Sequence, residues 1–77
     1  MRSITVKQRH PFSMSVLSSE DAVQWAVTKM VDMGFDVTIG YAETSALSYV
    51  SMSKIAIKHL PQAKALADSL IGWYNRK

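Results

Sequence analysis

From Ala22 onward, apolar residues return every three or four positions. Ala22, Val23, Ala26, Val27, Met30 and Val31 form one stripe, and Trp25 and Met33 widen it. That period belongs to an amphipathic helix with one face turned to a core. Ser18 stands three residues before Asp21, the spacing of a capping box, and Glu20 and Asp21 suit the positive end of a helix dipole. Gly34 follows the stripe where a left-handed residue is expected to end the helix. The rhythm then changes. Phe35, Val37, Ile39 and Tyr41 alternate with Asp36, Thr38, Gly40 and Ala42, the period of two of a half-buried strand. Residues 18–42 therefore read as the unit around which the chain is organised.

The flanking stretches extend the pattern. Ile4 and Val6 alternate with Ser3, Thr5 and Lys7, so residues 3–8 are expected to be a strand, interrupted by Arg9, His10 and Pro11. Phe12, Met14 and Val16, alternating with Ser13 and Ser15, predict a second strand paired with the first as a hairpin. Glu43, Thr44 and Ser45 form a polar break fit to close a further hairpin. Residues 46–59 admit two readings. As a bent or bulged strand they place Leu47, Tyr49, Ile55 and Ile57 on one face. As a helix they align Ala46, Tyr49, Val50, Ala56, Ile57 and Leu60. The enrichment in Tyr, Val and Ile and the three serines, Ser48, Ser51 and Ser53, favour the strand. Residues 50–60 resemble the second helix of a helix-turn-helix, with Tyr49 where the turn glycine is common. Pro61 then opens a second amphipathic helix, residues 61–75, with Ala63, Leu66, Ala67, Leu70, Ile71, Trp73 and Tyr74 at helical spacing. Laying Met14 over Ile55 also brings Val16 onto Ile57, Ala22 onto Ala63, Trp25 onto Leu66 and Ala26 onto Ala67, as if both halves were strand, strand, helix. The predicted fold is one α+β domain spanning residues 1–77: a small antiparallel sheet in the order ββαββα with both helices packed on one face.

Composition narrows the class. The chain has 77 residues, 48% hydrophobic and 19% charged, which is a globular balance with room for one thin core. It contains no cysteine, so neither disulfides nor thiolate chemistry contribute. No apolar run reaches the roughly 20 residues that cross a bilayer, and the first residues lack the apolar stretch of a signal peptide. The expected location is the cytoplasm, without membrane attachment. The net charge of +3 is unevenly spread. Arg2, Lys7 and Arg9 face no acidic residue in the first segment. Glu20, Asp21, Asp32, Asp36 and Glu43 outnumber Lys29 in the middle, and Lys54, Lys58, Lys64, Arg76 and Lys77 outnumber Asp68 at the end. If the two basic ends meet, one surface attracts polyanions; otherwise the charges solvate outer faces.

Catalytic patterns are missing from this arrangement. His10 and His59 fit no metal-ligand spacing, and nothing singles out Ser13, His10 and Asp36 as a triad. The three glycines, Gly34, Gly40 and Gly72, do not make a phosphate loop. No enzymatic activity, metal or cofactor is expected. Binding remains. The aromatic and methionine side chains exceed what one thin core absorbs, and Trp73 and Tyr74 are adjacent, so one of them is expected at the surface as an anchor for a partner or for a homodimer. The basic candidates for contact with nucleic acid are Arg2, Lys7, Arg9, Lys54, Lys58 and Lys64, with Lys58 and Lys64 flanking the start of the last helix. The sequence thus points to a small binding module that regulates or inhibits a larger protein or nucleoprotein assembly, as accessory proteins of phages and mobile elements do. The alternative is a small basic protein that binds nucleic acid directly.

Overall fold

A computed structural model describes residues 13–77 of the chain; the expected strand at residues 3–8, Phe12, and the candidate residues Arg2, Lys7 and Arg9 lie outside them. The described elements are helix α1 (Glu20–Asp32), strand β1 (Thr38–Tyr41), strand β2 (Ser48–Ser51), a 3-10 turn (Ile57–His59) and helix α2 (Leu60–Arg76). The fold is α+β, but its order is αββα with a two-stranded antiparallel sheet rather than the expected ββαββα. α1 packs against β1, β2 and α2, whereas α2 packs chiefly against α1 and the 3-10 turn. The helices therefore do not share the sheet equally, and residues 18–42 are the hub.

α1 starts one residue later than the spacing predicts. Ser19, not Ser18, is the N-cap, its hydroxyl accepting from the amide of Ala22 at 3.4 Å, while Glu20 and Asp21 occupy the first turn. Ser18 is instead drawn into pairing with Ser48. The C-terminal stop holds as expected. Gly34 has φ 96°, its amide donates to Val31 O at 2.9 Å, and the Phe35 amide donates to Met30 O at 3.0 Å. This is a Schellman motif, and Phe35, the residue after the glycine, packs on the core. α2 carries Pro61 in its first turn and Arg76 in its last, and spans slightly more than the predicted residues 61–75.

The core lies between the two helices and β2. Ala22, Ala26, Ala63, Ala67 and Met30 are fully buried, as are Val50 and Met52, and Leu60 and Ile71 are nearly so. Alanines on both facing stripes let the helix backbones approach closely. The halves that superpose in the sequence thus match in their helices, Ala22 with Ala63 and Ala26 with Ala67, but the strands preceding them do not repeat.

β1 and β2 pair in the register Thr38 with Ser51, Ile39 with Val50, Gly40 with Tyr49 and Tyr41 with Ser48. The polar break does close this hairpin: Ala42 donates to Leu47 O at 3.0 Å and Leu47 donates to the Ser45 hydroxyl at 3.3 Å. Glycine is required at position 40, because a Cβ there would collide with the Tyr49 ring. Both strands are shorter than expected. The strand predicted from Phe35 is confined to Thr38–Tyr41, and residues 46–59 yield only Ser48–Ser51. Beyond it the Ile55 amide donates back to Met52 O at 3.0 Å, which turns the chain toward the 3-10 turn. Neither a long bulged strand nor an α-helix forms there, so the helix-turn-helix resemblance is not realised.

The largest departure is at residues 13–18. The predicted strand is reduced to two isolated bridges, Met14 with Ser51 and Ser18 with Ser48. Four steps along this segment face three along β2, so the segment holds one extra residue, a bulge. The expected facing is inverted. Ser13, Ser15 and Ser18 are buried, while Val16 is 47% and Leu17 45% exposed. Hydrogen bonds hold the seam: Ser15 N to Val50 O at 2.9 Å, Met52 N to Ser13 O at 2.7 Å, and the reciprocal pair between Ser18 and Ser48 at 2.8 Å. Inside the bulge the Val50 amide donates to the Ser15 hydroxyl at 2.7 Å, a side chain standing in for a ladder carbonyl.

Candidate functional site

The C-terminal end of α2 meets the N-terminal end of α1, where the Asn75 amide donates to the Ser18 hydroxyl at 3.0 Å. This antiparallel meeting brings together three aromatic rings that are far apart in sequence. Trp25 of α1 stacks on Trp73 of α2 with centroids 5.2 Å apart and planes 17° from parallel, and Tyr74 is tilted against the same Trp25 ring at 5.5 Å and 44°. Adjacent residues on α2 thus both reach the same indole, and of the two it is Trp73 that is exposed. Tyr74 and Trp25 are half-buried against the core, and Trp73 is 50% exposed. The result is an aromatic ledge with Trp73 as its outer surface. Offset stacking fixes the ring orientations before any partner arrives.

Cations rim this ledge. Lys77 Nζ lies 5.3 Å from the Trp73 centroid and 5.4 Å from that of Tyr74, and Lys29 Nζ lies 5.6 Å from Trp25. Each contact is worth about 0.5–1 kcal/mol when exposed. An open groove of about 600 Å³ adjoins it, lined by Asp21, Gln24, Trp25, Thr28, Ile39 and Tyr74. At the edge of the sheet nearby, the Tyr41 phenol donates to Glu20 Oε2 at 3.0 Å, which holds its pKa above the ordinary phenol value.

The basic candidates do not converge in the same way. Lys54 and Lys58 are exposed on the connection from β2 to α2 and form no ion pair among the described residues. Lys64 is tied down, its ammonium 2.7 Å from Asp68 Oδ2. The other oxygen of that carboxylate accepts from the Val16 amide at 3.0 Å, so Lys64 and Asp68 hold the bulged segment against α2. With Arg2, Lys7 and Arg9 set aside, six basic residues are balanced by six acidic ones. Among the described residues, no group of three or more His, Cys, Asp or Glu side chains is placed to hold a metal, and no helix is long and apolar enough to cross a membrane.

Trp73 and Tyr74 were singled out by the sequence, whereas Trp25, the ring on which both rest, reads there only as part of a core stripe. A signal for it was available: Trp25 sits at the edge of its stripe near the start of one helix, and Trp73 near the end of the other. An antiparallel helix pair brings those two positions together. The chain matches no protein-family model, no curated protein and no solved structure.

Proposed function

We propose that this chain is a small non-enzymatic binding module that docks through its aromatic ledge onto a larger protein or nucleoprotein assembly and regulates or blocks it. The observation that supports this reading is the half-exposed Trp73, held flat on Trp25 and rimmed by Lys29 and Lys77. A large ring that is already oriented loses little conformational freedom on binding, and such rings are common anchors at interfaces. Small size, absence of cysteine and absence of a catalytic constellation agree with an accessory role of the kind carried by phages and mobile elements.

The alternative, direct binding of nucleic acid, draws on exposed Lys54 and Lys58 and on rings that offer stacking surface beside cations. One experiment separates the two: residue-resolved NMR titration with duplex and single-stranded nucleic acid at low and high salt, in parallel with cross-linked capture by wild-type and Trp73→Ala protein. Proteins captured by the wild type, lost with Trp73→Ala and retained with Lys58→Ala support the ledge as a protein-docking site. Salt-sensitive shifts centred on Lys54 and Lys58 move nucleic acid to first place.

A further inference from the structure

The two edges of the sheet are treated differently. The outer side of β2 is covered by residues 13–18, whereas among the described residues no backbone pairs with the outer side of β1. The ladder itself says which groups are left there. Ala42 donates to Leu47 O, and Ala42 and Leu47 continue the register, so they form a hydrogen-bonded pair. Hydrogen-bonded and non-hydrogen-bonded pairs alternate along an antiparallel ladder. Gly40 with Tyr49 and Thr38 with Ser51 are therefore also bonded pairs. Ile39 with Val50 and Tyr41 with Ser48 are not, and their N–H and C=O groups point away from each other. The β2 side verifies this independently, because the amides and carbonyls of Val50 and Ser48 are the ones that bond residues 15 and 18. The amides and carbonyls of Ile39 and Tyr41 consequently face outward, at an edge that no backbone among the described residues pairs with.

β1 is short, but it lacks the charge, the proline and the bulge that blunt many edges. Its four residues, Thr38, Ile39, Gly40 and Tyr41, include no charge and no proline, and its register with β2 is unbroken. We propose that this edge pairs antiparallel with the same edge of a second copy, joining two hairpins into one continuous four-stranded sheet. The strand is self-complementary for this. Placing Ile39 opposite the partner's Tyr41 puts Tyr41 opposite the partner's Ile39, and every outward amide then meets a facing carbonyl. Gly40 lands opposite the partner's Gly40 on the twofold axis, at a non-hydrogen-bonded pair, where Cα atoms approach to about 4.5 Å. Such an interface is isologous and closed, so it stops at a dimer and presents two aromatic ledges. The proposal uses a surface separate from the ledge and does not depend on it.

Sedimentation equilibrium across roughly 10 µM to 1 mM, with amide exchange measured at both ends of the range, is the test. The expected result is a mass that doubles with concentration. Exchange at Ile39 and Tyr41 should slow by about tenfold or more in the dimer, while Gly40, already bonded to Tyr49, stays unchanged. Tyr41→Pro removes an outward amide without removing a bond within the hairpin, and it should leave a folded monomer. A monomer throughout the range overturns the proposal, as does a dimer in which the Ile39 and Tyr41 amides remain unprotected or one that persists in folded Tyr41→Pro. If that variant does not fold, the alternating protection in the wild type decides alone.

Discussion

The contact between α1 and α2 and the contact between residues 13–18 and β2 are both interior, yet they are made from opposite materials. The helices meet through Ala22, Ala26, Ala63 and Ala67 with Met30 and Ile71 beside them, all buried, and apolar area and tight packing provide the attraction. The segment before α1 meets β2 through Ser13, Ser15, Ser18 and Ser48, and its valine and leucine look outward. There the attraction is hydrogen bonding, much of it through Ser15. The difference shows that burial follows from what each backbone group requires as well as from side-chain hydrophobicity. A bulged segment cannot complete its ladder with carbonyls alone, so a hydroxyl is more useful inside than a methyl group.

Substitutions on the two sides sharpen this contrast. Met30→Ala removes a fully buried side chain from the helical contact and should cost about 2–5 kcal/mol in urea unfolding, enough to unfold a domain this small. A cost near zero would mean that the alanine stripes suffice without it. Ser15→Ala leaves the buried Val50 amide without its acceptor and should cost about 1–3 kcal/mol, a large penalty for deleting one oxygen. Ser48→Ala acts in the opposite direction. Its hydroxyl is fully buried and has no hydrogen-bond partner among the described residues, so removing it should be neutral or stabilising by up to about 1 kcal/mol in the same assay. The smallest effect is expected for Val16→Ser, within about 0.5 kcal/mol because the side chain is already half in water. If Val16→Ser instead cost more than Ser15→Ala, the inverted seam would be wrong and the original alternation restored.

What could be read in advance divides along the same line. The helices were legible because their period has one dominant face, and Gly34 was legible because only one backbone conformation suits it. The hairpin between β1 and β2 followed from alternation plus a polar break. The cap was misplaced because Ser18 and Ser19 are chemically equivalent. Pairing of Ser18 with Ser48 and Asn75, far away in the chain, decides between them. Within the described part of the predicted strand, Ser13 and Ser15 are inside and Val16 outside, because alternation separates two faces without saying which one is inside. The strand at residues 46–59 was overextended because Ile55 and Ile57 read as its continuation, although they follow a turn. Of the ledge, two rings were visible as a neighbouring pair, and the third required knowing that the helices run antiparallel.

Stacked indoles on separate helices also couple their electronic transitions. Because Trp25 belongs to α1 and Trp73 to α2, the exciton signal of that pair in circular dichroism exists only while the two helices are docked. The chain therefore carries its own optical gauge of tertiary assembly, distinct from helix content, and a ligand that slides between or tilts the rings would register in it without any label.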